Sequence, residues 1–169
     1  GIWTSTIAPF SYSFSSPAID TNGKIYAANT VEPVSLYAFN TNGSKTYTWV
    51  TNGQNYASPA LGSNGMIYHA SSNKLFSYKS DGSTGFSWTV GAPGVNVGSA
   101  SSPVIGTNGH IYIGGGNTLY ACHPDGSIAK TWRADSTIKS NPAVAADGSI
   151  IVVSSGGFVY SFKPDGTTN

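Results

Sequence analysis

Charged residues are scarce in this 169-residue sequence, at 9% of the chain, and eight lysines and arginines nearly balance seven aspartates and glutamates. The balance excludes the basic stripe of a nucleic-acid-binding surface and the acidic tail of a solvating segment. The apolar residues fall in short runs, too short to cross a membrane as a helix. We therefore expect no nucleic-acid partner and no membrane span.

Cysteine is almost absent as well. The single residue, Cys122, excludes an internal disulfide framework. The sequence opens with Gly1 and shows neither a charged region nor an apolar core of a signal peptide. The expectation is an extracellular or cell-surface protein whose signal has been removed, or a fragment of a longer chain.

Repetition is what the sequence has instead. Four units of similar sequence occupy residues 15–50, 57–90, 101–134 and 140–169, and each has a proline at its third position. The prolines recur about every 40 residues, at Pro17, Pro59, Pro103 and Pro142. A period near 40 residues that holds four strands is the signature of a propeller blade.

Each unit alternates apolar and smaller side chains in the manner of strands, as in LYAF, LFSY, LYAC and VYSF. Asn-Gly or Asp-Gly pairs separate the strands at 22–23, 42–43, 64–65, 81–82, 108–109, 125–126, 147–148 and 165–166. These pairs tolerate the positive φ that tight hairpin turns need. No segment has a helical stripe, so the chain is predicted to be all-β.

The last unit stops before its fourth strand, which in the other units carries Trp49, Trp88 or Trp132. The equivalent tryptophan, Trp3, lies at the other end of the chain. We predict one domain over residues 1–169, a β-propeller of four four-stranded blades whose last blade is completed by residues 1–6. The strand that completes it comes from the same chain or from a neighbouring copy.

The residues predicted to close this blade are Ile2, Trp3, Thr4, Phe158, Tyr160 and Phe162. Three closures stay open at this point: a four-bladed ring of one chain, two chains in an eight-bladed ring, and a head-to-tail polymer. An unpaired strand edge is a liability, so some partner for it is expected.

The pattern S-S-P-A/V-I, G-x-I-Y, L-Y-A-F, D-G-S and W resembles the pyrroloquinoline-quinone-type propeller repeat over essentially the whole chain. That family includes quinoprotein alcohol dehydrogenases, an outer-membrane assembly lipoprotein and many surface proteins, usually with eight blades. The resemblance implies the blade fold. The quinone enzymes also need a vicinal cysteine pair, which a single Cys122 does not supply, so no cofactor is expected.

Catalytic groups are few. Five of the seven acidic residues lie in or beside the repeating turns, which leaves Glu32 and Asp135 on different blades and makes a carboxylate pair improbable. Cys122 fills a position that is aromatic in the other units, and a buried thiol is expected there. The protein is therefore predicted not to be an enzyme.

The three histidines, His69, His110 and His123, occupy non-equivalent positions and are expected to lie on the surface. His110 and His123 are predicted to be cross-strand neighbours. Two histidines alone make a weak metal site, since structural zinc takes four ligands.

The loops opposite the Asn/Asp-Gly turns differ between units, at residues 27–35, 69–74, 90–100 and 114–118. Variable loops on a rigid scaffold are where a ligand site is expected. The candidate ligand-face residues are Glu32, His69, Asn96 and Asn117, with Tyr68 and Tyr112 as possible glycan contacts.

The sequence favours a non-catalytic extracellular or cell-surface scaffold that self-associates, as a closed dimer or as a filament formed by strand addition. Its expected partner is another copy of itself, with a glycan or a surface protein as a further possibility. The alternative is a carbohydrate-binding propeller that uses the variable loops. A fragment of a quinoprotein-like enzyme is the third hypothesis.

Overall fold

The structure, a computed structural model, describes residues 2–5, 15–30, 33–51, 53, 56–90, 101–165 and 167. Within these ranges the regular elements are all β-strands, and there is no helix long and apolar enough to cross a membrane. In chain order the strands are β1 Ala18–Ile19, β2 Ile25–Ala28, β3 Ser35–Phe39, β4 Lys45–Val50, β5 Ala60–Leu61, β6 Met66–Ser71, β7 Lys74–Lys79, β8 Thr84–Thr89, β9 Val104–Ile105, β10 Ile111–Gly115, β11 Thr118–Cys122, β12 Ile128–Arg133, β13 Ala143–Val144, β14 Ile150–Val153 and β15 Val159–Phe162.

The strands form four antiparallel meanders, one for each sequence repeat. Three of them have four strands, β1–β4, β5–β8 and β9–β12, and the last has the three strands β13–β15. We call these sheets blades one to four. The prediction of an all-β fold built from blades is confirmed.

The Asp-Gly turns share one recurring geometry. In the second blade Asp81 Oδ1 accepts hydrogen bonds from the Ser83 amide at 2.8 Å and from the Ser83 hydroxyl at 2.6 Å. The hydroxyl of Ser83 holds the pKa of the Asp81 carboxyl below its ordinary value, because it donates to the charged form. Asp125 with Ser127 and Asp165 with Thr167 repeat the arrangement. Asp147 accepts the Ser149 amide with Oδ1 and the Ser149 hydroxyl with Oδ2. These carboxylates shape turns.

Each blade presents one face to the blade that follows it, which we call the forward face, and one to the blade before it, the rear face. In the first blade the forward face contributes Tyr26, Leu36 and Trp49 to a buried cluster, and the rear face of the second blade adds Ile67 and Tyr78. The second and third junctions repeat this packing. Burial of apolar area between blades is thus the main stabilising term of the array.

The innermost strands of successive blades contact one another, β1 with β5, β5 with β9 and β9 with β13. A polar residue before each repeated proline links them. The Ser16 amide donates to Ser58 Oγ at 2.8 Å, the Ser58 amide to Ser102 Oγ at 2.9 Å, and the Ser102 amide to Asn141 Oδ1 at 2.7 Å. Sequence analysis noted the prolines but missed this chain of hydrogen bonds.

Two of the predicted variable loops are not loops. Residues 69–71 belong to β6 and residues 114–115 to β10, and each strand turns after only two further residues, with Ser71 opposite Lys74 and Gly115 opposite Thr118. The polar and glycine-rich letters suggested loops, but a Cβ on Gly114 would lie 2.8 Å from Ile138 Cγ2. Close packing, not flexibility, explains that glycine.

Candidate functional site

The outer edge of the fourth blade differs from that of the other three. Blades one to three share one register, in which a leucine of the third strand lies opposite a tryptophan of the fourth. The pairs are Leu36 with Trp49, Leu75 with Trp88 and Leu119 with Trp132. Val159 of β15 holds the leucine position, and no strand flanks β15 on that side among the described residues. Val159 is 69% exposed and Phe158 is 59% exposed, whereas all three leucines are completely buried.

Trp3 lies against the first blade. The indole Nε1 of Trp3 donates to the Thr41 carbonyl at 2.7 Å, and its ring covers Gly43, where a Cβ would lie 2.5 Å from Cε3. The same contact recurs inside the array, because Tyr47 covers Gly82 and Phe86 covers Gly126. Trp3 therefore stands where the outer strand of a preceding blade would hold the turn between the third and fourth strands.

The expected pairing of Ile2, Trp3 and Thr4 beside Phe158–Phe162 of the same chain is not formed in the described residues. Phe162 instead packs on Trp132 of the third blade, with ring centroids 5.9 Å apart. Tyr160 shares this rear face, and its hydroxyl donates to Asp135 Oδ1 at 2.9 Å. Side chains alternate along a strand, so Phe158 lies on the same face as Tyr160, with ring centroids 6.5 Å apart, and Val159 lies on the opposite face. Both Phe158 and Val159 stay largely exposed.

The aromatic cover on the turn glycines can be tested at Gly126, which has φ +92° and whose added Cβ would lie 2.7 Å from the Phe86 ring. Gly109, with φ +78° and no atom within 4 Å of the added Cβ, is the matched control. We expect Gly109→Ala to lose about 1 kcal/mol of stability through backbone strain alone. Gly126→Ala should lose at least about 2 kcal/mol, since the ring must also move. Equal losses in urea unfolding would contradict the contact.

His69 corrects the expectation of a surface histidine on a ligand-face loop. It lies within β6 and is completely buried. Burial lowers its pKa to about 3, because the charged imidazolium would lose its hydration. His69 is thus a neutral core residue. The equivalent residues on the other blades are Ala27, Ile113 and Val152. All three are apolar, which indicates a core position.

Of the remaining ligand-face candidates, Asn117 lies in the described residues. Asn117 forms a two-residue turn with Gly116, and its carbonyl accepts a hydrogen bond from the Ala134 amide at 2.8 Å. Glu32 and Asn96 lie outside the described residues. The turn therefore explains the asparagine at position 117 without a ligand.

His110 and His123 are cross-strand neighbours, as predicted, with ring centroids 4.8 Å apart. Burial and the neighbouring His123 lower the pKa of His110. In the part of the chain that the structure describes, no group of three or more His, Cys, Asp or Glu side chains could hold a metal ion. The pair offers two nitrogen ligands at most.

Cys122 is fully buried in the core, as expected. Burial raises the pKa of its thiol to about 12, which keeps it protonated at neutral pH. A thiol in that state is a poor nucleophile and a poor metal ligand. Its place between the second and third blades is structural.

The tyrosines expected to contact glycans are buried. Tyr68 and Tyr112 are each 1% exposed, and their hydroxyls accept hydrogen bonds from the turn residues Asn64 and Asn108 at 3.0 Å. They cannot stack on a sugar, so this part of the glycan hypothesis is wrong. An aromatic-lined cleft of about 440 Å³ does exist between the first and second blades, with Trp49 and Phe86 in its wall.

No family model and no curated protein match the sequence. Solved structures do match the fold. BamB from Moraxella catarrhalis superposes with a TM-score of 0.75 at 18% identity, over 92% of this chain and 51% of the other. A protein of unknown function from Bacteroides caccae gives a TM-score of 0.67 at 10% identity, over 98% of this chain and 68% of the other.

A third structure, of a protein proposed to be a gluconolactonase, gives a TM-score of 0.62 at 12% identity, over 90% of this chain and 57% of the other. Identities this low support the fold and nothing finer. The chain is a set of β-propeller blades that spans about half the length of the BamB chain.

Proposed function

We propose that this chain is a non-catalytic scaffold of the extracellular space or the cell surface, and that it acts by associating with other copies of itself. The observation that carries the proposal is the open side of the fourth blade. Its outer strand β15 has no flanking strand among the described residues, and it presents apolar side chains to solvent. Unpaired strand edges of this kind bind a further strand readily.

The other end of the array supports the same proposal. Trp3 contacts the first blade at the turn that a preceding blade's outer strand would hold, and it is still 39% exposed there. The chain thus carries three strands of a blade at one end and the substitute for the fourth strand at the other. Ends that are complementary in this way favour self-association.

The positions of the ionisable groups favour a scaffold over an enzyme. Asp81, Asp125 and Asp147 are engaged in turns, His69 is buried and neutral, and the Cys122 thiol is buried and protonated. Acid–base and nucleophilic catalysis need such groups in accessible pairs with matched pKa values. These side chains serve packing and turn geometry instead.

Placement outside the cytoplasm rests on the low charge and on a surface rich in serine, threonine and asparagine. Expression in the source cell followed by labelling with a membrane-impermeant reagent tests it. Labelling of intact cells is expected. Protection until the cells are lysed would overturn the proposed location.

Self-association is tested by light scattering across a dilution series. We expect a mass above the 17.5 kDa of one chain that decreases on dilution or stays at a fixed multiple. Val159→Lys should reduce the mass to one chain, because a charge on an edge strand opposes pairing. Val50→Lys, at an exposed position of β4, is the matched control and should leave the mass unchanged.

A single-chain mass at every concentration would overturn the proposed function. In that case the aromatic-lined cleft between the first and second blades becomes the place to test ligands.

A further inference from the structure

We infer that two copies of this chain form one closed, two-fold symmetric ring of eight blades, in which residues 2–5 of each copy complete the fourth blade of the other. The inference rests on the proposed self-association. It adds that the partner is one second copy, that the strands pair in a defined register, and that the ring is closed. Both ring junctions are then identical, as two-fold symmetry requires.

The register follows from the three complete blades. Each places the third-strand leucine opposite the fourth-strand tryptophan, and the residue before the leucine opposite the residue after the tryptophan. Applied to the open blade, this register sets Val159 of one copy opposite Trp3 of the other. Phe158 then lies opposite Thr4. Val159, Phe158, Trp3 and Thr4 are all exposed in the isolated chain.

The innermost strands supply a second, independent match. The hydrogen bonds that run from Ser16 through Ser58 and Ser102 end on the Asn141 side chain. The amide of Asn141 has no partner among the described residues, and neither does the hydroxyl of Ser16. The next step of the same pattern is the Asn141 amide of one copy donating to Ser16 Oγ of the other.

The arc of the blades decides between a closed pair and a filament. The four blades superpose on 51% of the BamB chain with a TM-score of 0.75, so they follow about half of a propeller. A propeller is a set of blades arranged radially around a central channel. Two half circles with complementary ends close on each other, which leaves no free end to extend a polymer.

Trp3 already contacts the turn of its own first blade through Thr41 and Gly43. Its indole Nε1 donates to that turn as the indole Nε1 of Trp49 donates to the Gly82 carbonyl of the next blade at 3.0 Å. Its ring covers Gly43 as Tyr47, two residues before Trp49, covers Gly82, so residues 2–5 move along the turn when the partner's β15 pairs with them. The new strand pair adds backbone hydrogen bonds and covers Phe158 and Val159.

Disulfide cross-linking tests the register and the closure together. The double variant Thr4→Cys/Phe158→Cys is oxidised under mild conditions and run on a non-reducing gel, with wild-type mass measured in parallel. The native Cys122 does not interfere, since it is buried and its thiol stays protonated. Thr4→Cys/Ile128→Cys is the control, because Ile128 is exposed but far from both ends of the array.

The expected result is a covalent dimer as the final product, with no larger species, from the Thr4/Phe158 pair and none from the control pair. Equimolar mixing of the two single variants should also give the dimer. A ladder of trimers and larger species would overturn the closed ring while leaving self-association intact. Cross-linking within one chain, together with a single-chain mass of the wild type, would overturn both. Equal cross-linking of the control pair would overturn the register.

Discussion

Replacing His69 with valine is expected to remove most of the acid sensitivity of folding between pH 6 and pH 4.5. In the folded protein the imidazole is buried and its pKa falls to about 3, whereas the unfolded chain binds a proton near pH 6.5. Below pH 6.5 the unfolded state therefore holds more protons, and the stability of the folded state decreases as the pH falls. The slope approaches about 1.4 kcal/mol for each pH unit.

The carboxylates act in a different pH window, which makes the His69 effect separable. Asp81, Asp125 and Asp147 have pKa values lowered from 3.8 by hydrogen bonds to serine. The stability that they add is present above pH 3.8 and is lost only as the pH falls through their lower folded values. Between pH 6 and 4.5 these aspartates are charged in both states.

Urea unfolding of the wild type and of His69→Val at pH 7, 6, 5 and 4.5 measures the slopes. Valine fits because Ile113 and Val152 occupy the same position on the third and fourth blades. His110→Gln is the control, since His110 is only partly shielded and should contribute a smaller share. Unchanged slopes in His69→Val would show that the imidazole becomes protonated without unfolding.

The fold was largely predictable because the signals that define it are local and repeated four times. Alternating apolar residues and Asn/Asp-Gly pairs specify hairpins, and a period near 40 residues specifies blades. The structure forms these turns, with glycine at positive φ in the pairs from Gly23 to Gly148. Four copies of a weak pattern are much stronger than one.

The candidate site was less predictable because it depends on distances between segments. The sequence placed Trp3 with the fourth blade, and its contacts with Thr41 and Gly43 place it on the first. In both placements Trp3 belongs to an outer strand of the repeat. Whether that strand can reach the fourth blade of the same chain depends on the curvature of the array. Curvature comes from the packing angle between blades, which the strand pattern does not encode.

The residue types at His69 and Gly114 led to a wrong prediction of loops. Both looked like loop residues, yet one is a buried strand residue and the other allows close approach of Ile138. The links from Ser16 to Asn141 had a signal, a polar residue before each repeated proline, but its partner lies on another blade. A single sequence shows that such a position is polar without showing what it contacts.

Leu119→Ala is expected to destabilise the protein by about 3 kcal/mol, within the range for a buried leucine that leaves a cavity. Leu119 is completely buried and lies opposite Trp132 at the junction of the third and fourth blades. Ile128→Ala on the neighbouring strand is the control, and its loss should stay within about 0.5 kcal/mol because Ile128 is already exposed. Urea unfolding measures both.

The same substitution also tests how the blades cooperate. In a linear array each unit is stabilised by its own contacts and by its junctions with neighbours, so a weakened junction affects the adjoining terminal unit most. The fourth blade has one junction within the chain, and Leu119→Ala weakens it. Hydrogen exchange should therefore accelerate in β14 and β15 more than in β2 and β3. Uniform acceleration would mean that the four blades unfold as one unit, and the open side of the fourth blade would then be supported by the whole array.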